Sequence, residues 1–313
     1  MKIGFLNNQV DNRGTGNALF DYADYNERIL GNKSVVLSLD KSFRDTLMEK
    51  RLVERFGGVY TFPEFDIDFG LDVLYHIKSG ENDGYAGAVN PKRTRYIVHA
   101  VFNGSQPHGD RYAAISSWLG KRFGIPFVPH IVDLPDTNKN LRPVLGIPES
   151  DVVFGRHGGP DSFDIEFVWR AINRVLELRS DIWFIFLNTN KPSIELFDPA
   201  RVIFLDPVGT ALEKRIFINT CNAMLHARGR GETFGLAVGE FSICGKPIIT
   251  YSHSSEKAHL EELPLAYLYS NEDWLVKSLT DGWAKNHIET HLRGYTKYTP
   301  ENVMGQFKEV FLD

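Results

Sequence analysis

The sequence predicts an α/β protein of two domains. Three observations carry that expectation. In both halves short apolar runs alternate with amphipathic stretches, as in parallel strands joined by helices. The chain has 313 residues, enough to bury two ordinary cores. Pro135, Pro143 and Pro148 punctuate the middle of the chain and mark a linker.

Residues 3–6 read as the first strand. A loop with Asn7, Asn8, Asp11, Asn12, Arg13, Gly14, Thr15 and Gly16 follows, then a helix through Ala18, Leu19, Tyr22 and Tyr25 and a strand over 34–39 that ends at Asp40. This βαβ unit invites a nicotinamide-binding reading, with Asp40 on a ribose. The dinucleotide fingerprint rules it out, because its glycines must sit tight against the strand. Here Gly14 comes late, and Leu19 stands where the third glycine belongs.

Residues 43–56 form an amphipathic helix with Phe43, Leu47, Met48 and Leu52 on one face. Asp45, Glu49 and Glu54 dilute Arg44, Lys50, Arg51 and Arg55, so the helix is expected on its own sheet. Membrane association is possible but has no support in the sequence. Further strands are expected over 59–62, 73–77, 96–101, 112–116 and 126–129. The triplet Asp66-Ile67-Asp68 reads as turn chemistry, not as a metal site.

The second half opens with a strand over 151–154 running into Gly155-Arg156-His157-Gly158-Gly159. A helix over about 164–179 buries Ile165, Val168, Ile172, Val175 and Leu176, with Ser162 as its N-cap. Strands over 182–187 and 202–205, a helix over 212–219 and a strand over 223–226 follow. Thr299-Pro300-Glu301 is a strong helix start, and Val303, Phe307, Val310 and Phe311 make that helix's apolar stripe.

Composition bounds the function. At 42% hydrophobic and 24% charged the chain is globular rather than disordered, and a net charge of −5 offers no footprint for nucleic acid. The two cysteines, Cys221 and Cys244, lack metal-ligand spacing and read as reduced thiols of a cytoplasmic protein. The apolar run at the start is too short for a signal peptide, and no run approaches transmembrane length.

The chemistry concentrates in Gly231-Glu232-Thr233-Phe234-Gly235-Leu236-Ala237-Val238-Gly239-Glu240, closing with Cys244-Gly245-Lys246-Pro247. Gly235 precedes an apolar helix whose start offers unpaired N–H groups and the positive end of the helix dipole, a seat for phosphate. Gly245 is placed to cap the helix end, and 248–251 reads as a buried strand. Glu232 lies in the loop before the helix. Glu240 shares a helical row with Leu236 and Ile243, so its carboxylate must be solvated or bind something. Sugar and ribose hydroxyls suit both groups.

Glu232, Phe234-Gly235-Leu236, Glu240 and Gly245-Lys246-Pro247 together resemble the Glu-x7-Glu signature of family 4 retaining glycosyltransferases. The resemblance implies the GT-B fold: two Rossmann-like domains facing a cleft, with a last helix crossing back to the first domain. The domains would be 1–140 (acceptor) and 141–295 (donor), with 296–313 as the returning helix. The implied reaction moves a hexose or pentose from a nucleotide-sugar to an acceptor hydroxyl on a glycan or glycoconjugate, with retention and without a metal or other cofactor.

The resemblance also implies roles. Glu232 would hold the donor sugar and Glu240 the ribose. Amides around Phe234, Gly235 and Leu236 would meet the diphosphate. His99, ending the strand over 96–101, would line the sugar site. Gly14 and Gly16 would lie near the donor phosphates or the acceptor. Arg156 matches the Arg that clamps the diphosphate. The Lys that normally follows it by five residues is Asp161 here, and Arg228 or Arg230 is expected to supply the missing charge. The alternative is a non-catalytic nucleotide-sugar-binding or scaffold protein with a degenerate phosphate clamp.

Overall fold

The structure, a computed structural model, describes residues 1–8, 10–11, 13–39, 46–61, 70–84, 94–281 and 294–313. Asn12, Asp40, the start of the helix expected from 43, and Asp66-Ile67-Asp68 lie outside the described residues. The chain divides into two compact units, Met1–Asp133 with Lys297–Asp313, and Leu134–Thr296.

In the first unit, β1 (Lys2–Asn7), β2 (Lys33–Ser38), β3 (Val59–Thr61), β4 (Val73–Lys78), β5 (Arg95–Ala100) and β6 (Arg111–Ala114) form a parallel sheet ordered β3-β2-β1-β4-β5-β6. Helices α1 (Gly14–Arg28), α2 (Leu47–Phe56) and α3 (Ser117–Phe123) connect or follow these strands. β1, β2, β4 and β5 are buried along almost their whole length, which is why they read as apolar runs, whereas the edge strand β3 is largely uncovered. Order reverses between β1 and β4, the switch point where such sheets open a crevice.

Two local expectations change here. Residues 126–129 make only an isolated bridge, Phe127 to Ala114, because Pro126 and Pro129 have no N–H for a ladder. Gly14 and Gly16 are not loop residues but open α1.

In the second unit, α4 (Arg142–Leu145) precedes β7 (Val152–His157), α5 (Glu166–Leu178), β8 (Ile182–Leu187), β9 (Val202–Leu205), α6 (Ala211–Thr220) and β10 (Ala223–His226). Then come β11 (Gly231–Glu232), α7 (Leu236–Ile243), β12 (Ile248–Tyr251), β13 (Glu256–Lys257), α8 (Ala258–Glu262), β14 (Tyr267–Tyr269) and α9 (Glu272–Thr280). The main sheet runs β14-β12-β10-β7-β8-β9, all parallel, and β11 pairs with β13 alone. Its core packs α5 and α9 on the sheet through Val168, Ile172, Val175, Phe184, Leu225, Ile249, Leu275 and Leu279. The α5 N-cap is Ile165, not Ser162, whose hydroxyl is engaged elsewhere.

The chain ends in the first unit. Thr299 caps α10 (Pro300–Phe307) by accepting from the Asn302 N–H, and a π-helical turn over Lys308–Leu312 follows. Phe307 packs on Phe5, Tyr22 and Tyr75, and Phe311 on Tyr75 and His99. Arg95 donates to the Leu312 carbonyl at 3.0 Å. The last helix thus closes the core of the first unit, as expected of it.

Candidate active site

The second sheet reverses order between β7 and β10, so its ligand crevice lies beyond their carboxyl ends. β7 ends in Arg156 and His157 and β10 in His226, and the chain then runs through Arg228 to Glu232 and the start of α7. Residues distant in sequence meet there because a parallel sheet aligns its carboxyl ends.

Gly235 is the α7 N-cap at φ 85°, a conformation that favours glycine. A side chain there would also meet the Tyr295 hydroxyl, the His259 Cβ and the Glu232 Cβ within 3.1–3.3 Å. No side chain caps the helix, so its first-turn N–H groups are left for another acceptor. Phe234 is buried; its ring packs edge-on to Tyr295, whose hydroxyl donates to the Phe234 carbonyl at 2.6 Å. Gly245, at φ 70°, turns the chain out of the helix.

Glu232 is held at both oxygens. Arg228 Nη1 donates to Oε2 at 2.8 Å, and His226 Nε2 lies 3.2 Å from Oε1. Burial pushes the carboxyl up, but the His226 hydrogen bond and the Arg228 charge outweigh it and hold the group at about 2. Its side chain keeps 20% exposure, so a ligand can reach it.

Glu240 is enclosed. Lys214 Nζ donates to Oε1, and His157 Nε2 lies 3.0 Å from Oε2. Burial raises this carboxyl too, yet Lys214 and His157 bring it down to about 2. Of the two expected outcomes, solvated or bound, the second holds within the chain itself: Glu240 points inward to Lys214 of α6 and His157 of β7.

Arg156 is buried, and four of its N–H groups are in use. Nη1 donates to the Asn188 carbonyl at 3.3 Å and to Thr189 Oγ1 at 2.5 Å, and Nη2 to the Gly159 carbonyl at 2.7 Å and Ser162 Oγ at 2.6 Å. Burial lowers it to about 10, and Glu232 opposes that shift. Its guanidinium braces the Gly158–Gly159 loop, leaving fewer donors for a diphosphate than expected. Arg230 turns away from Glu232 to Glu256, at 2.7 Å.

The first unit contributes differently. His99 is fully enclosed: Nδ1 lies 2.6 Å from the Tyr75 hydroxyl, and Nε2 lies 2.8 Å from the Val128 carbonyl. Burial lowers its pKa to about 4. A neutral, saturated core histidine presents no surface to a sugar, which corrects its expected place at the donor. A Cβ on Gly16 would fall 1.9 Å from the Asp11 carbonyl oxygen, whereas Gly14 has open space. Gly16 is thus explained by packing of the loop on α1.

Sequence reasoning missed Lys214, His157, Thr250 and His259, each of which holds or backs a glutamate. Only the alternation of polar residues at strand ends, His157 on β7 and Thr250 on β12, hinted at them.

No protein-family model matches the sequence, and no curated protein matches it. Solved structures do share its fold. Anabaena Alr3699/HepE, solved with UDP-glucose, is 14% identical with a TM-score of 0.72 over 99% of this chain and 98% of that one. A glycosyltransferase from Rickettsia africae ESF-5 is 11% identical with a TM-score of 0.67 over 100% and 99%. WaaG, a glycosyltransferase involved in lipopolysaccharide biosynthesis, is 11% identical with a TM-score of 0.57 over 100% of both chains. What these likenesses establish is the fold: the chain has the GT-B architecture.

Proposed function

We propose that this chain is a retaining glycosyltransferase that moves a sugar from a nucleotide-sugar to an acceptor hydroxyl on a glycan or glycoconjugate. One observation carries the reading. An ionised, reachable carboxylate (Glu232), a guanidinium beside it (Arg228) and an uncapped helix start (Gly235) converge at the switch point of a parallel sheet. Carboxylate and guanidinium suit a ligand that carries both hydroxyls and phosphates.

The diphosphate sits over the first turn of α7, where the amides of Gly235 and Leu236 meet its charge. Arg228 supplies the positive charge missing at Asp161 by swinging from Glu232 to a phosphate. Arg156 holds the neighbouring loop and adds its field to the site. Glu232 accepts hydroxyls of the donor sugar. Glu240 keeps lone pairs beyond those used by Lys214 and His157 and takes the ribose. No metal is given a part, since the leaving diphosphate is neutralised by Arg228, Arg156 and the helix start. The acceptor hydroxyl attacks the face of the anomeric carbon that the diphosphate leaves, and its proton departs to the diphosphate oxygen.

A non-catalytic nucleotide-sugar-binding protein is the second reading, favoured by Asp161 at the clamp position and by the saturation of Arg156. A thermal-shift panel of UDP, GDP, ADP, TDP and CMP, with and without Mg²⁺, comes first. A ligand at about 100 times its Kd stabilises by roughly 2.7 kcal/mol. A hit that does not need Mg²⁺ leads to transfer assays with the matching sugars. Binding without transfer to any glycan acceptor supports the second reading, and no binding at millimolar nucleotide removes both.

A further inference from the structure

Behind Glu232 stand three more polar side chains in line, all buried: His226, Thr250 and His259. His226 Nδ1 lies 2.8 Å from Thr250 Oγ1, and Thr250 Oγ1 lies 3.1 Å from His259 Nε2. Strand pairing fixes the first step, because His226 on β10 is in register with Thr250 on β12. The two imidazole rings are 5.0 Å apart at their centroids.

A hydroxyl has one proton, so Thr250 donates to one imidazole and accepts from the other. Two directions exist. In the first, His259 Nε2–H donates to Thr250, Thr250 donates to His226 Nδ1, and His226 Nε2–H donates to Glu232. In the second, His226 Nδ1–H donates to Thr250, which donates to His259 Nε2, and His259 carries its proton on Nδ1. That atom is buried with no hydrogen-bond partner among the described residues. A stranded N–H in such a place is disfavoured more than a bare acceptor. The other end agrees. Ionised Glu232 only accepts, so it selects a proton on His226 Nε2. With a single ring proton, placed on Nε2, His226 has a bare Nδ1 that needs the Thr250 proton. Both ends choose the first direction.

We propose that Thr250 and His259 are positioning residues for Glu232. They act through His226, whose Nε2–H they aim at the Glu232 carboxylate. Arg228, the other partner of Glu232, is the group that moves to the diphosphate in the proposed function. When it leaves, the relay alone keeps Glu232 turned toward the donor sugar. The functional part of this inference rests on that reading of Glu232; the arrangement of protons does not.

The test is histidine ¹⁵N NMR of the whole, unliganded protein at neutral pH. His226 and His259 are expected as neutral Nε2–H tautomers. Thr250→Val removes both hydrogen bonds at nearly equal volume and should mix the His226 tautomers, while Thr250→Ser should restore them. The Glu232 carboxyl, followed by ¹³C NMR titration, should titrate higher in Thr250→Val than in the wild type. With an active donor, Thr250→Val should lower kcat roughly 10-fold at unchanged donor KM, as for other partners that orient a histidine. An Nδ1–H tautomer at either histidine, or a Glu232 titration unmoved by Thr250→Val, overturns the proposal. Full transfer by Glu232→Gln would instead overturn the role of Glu232 while leaving the NMR result standing.

Discussion

Arg228 and Arg230 are two residues apart, yet only Arg228 faces the candidate active site. Arg228 Nη1 donates to Glu232 Oε2 at 2.8 Å, whereas Arg230 Nε donates to Glu256 Oε1 at 2.7 Å. Only Gly229 separates them, and the chain turns at Gly231 just after Arg230: its φ is 83°, its N–H donates to the Arg228 carbonyl at 3.0 Å, and it pairs with Glu256, which brings Arg230 to that carboxylate. Arg228→Ala is therefore expected to weaken nucleoside-diphosphate binding, and Arg230→Ala to leave it near wild type. A lost charge-assisted hydrogen bond is worth about 1.5–3 kcal/mol, roughly 10- to 100-fold in Kd. Calorimetric titration of both variants checks this, and a larger loss in Arg230→Ala would reverse the assignment.

Lys214 and Glu240 form a nearly buried ion pair, with His157 on the second carboxylate oxygen. Taking away one partner leaves an unmatched buried charge, which costs about 3–5 kcal/mol where such pairs have been broken. Lys214→Met should lose stability on that scale. The double variant Lys214→Met/Glu240→Gln should lose less than the two single variants added together, because it strands no charge. Denaturant midpoints of the four proteins give the coupling; strict additivity would mean that Lys214 and Glu240 do not support each other.

Much of this was legible because parallel strands advertise themselves. β8, β9, β10 and β12 fall at the residues the apolar runs mark; β8, β10 and β12 are covered on both faces and need no polar alternation. β14 was not legible: three residues, Tyr267–Tyr269, carry too little pattern. Nor was α3, whose seven residues Ser117–Phe123 give less than two turns of periodicity after Ser116, its observed N-cap. The candidate site divides the same way. Arg228, Glu232 and Gly235 lie within one turn and helix start and can be read locally. Lys214, His157, Thr250 and His259 reach the glutamates from other elements, and only the sheet order brings them there.

Gly14 and Gly16 separate a packing requirement from mere placement. A Cβ on Gly16 meets the Asp11 backbone carbonyl oxygen at 1.9 Å, and backbone cannot step aside as a flexible side chain can. Gly16→Ala should cost about 1–3 kcal/mol, the usual range for overpacking. Gly14→Ala, with nothing within 4 Å, should change stability by no more than about 0.5 kcal/mol. Guanidinium unfolding of the two variants tests the contrast, which fails if both behave alike.

Acid should weaken both units at pH values where Glu232 and Glu240 still keep their charge. Burial lowers His76 to about 3 and His99 to about 4 in the first unit, and His130 well below its ordinary value. In the second unit burial lowers His259 to about 3 and also depresses His157. An unfolded histidine takes its proton near pH 6.5, while these folded ones refuse it, so the unfolded chain binds more protons below that pH. Stability is then complete above pH 6.5 and falls as the pH drops toward the folded values. At pH 5.5 the loss is about 1 kcal/mol for each of His76, His99 and His259, together a large share of a domain's typical 5–15 kcal/mol. Glu232 and Glu240, both at about 2 when folded against 4.5, withdraw their contributions only below pH 4.5. The urea midpoint should therefore drop clearly between pH 7.5 and 5.5. Replacing His76 and His99 together by Gln should flatten that drop for the first unit. Equal midpoints at the two pH values would mean that these histidines are free to protonate in the folded protein.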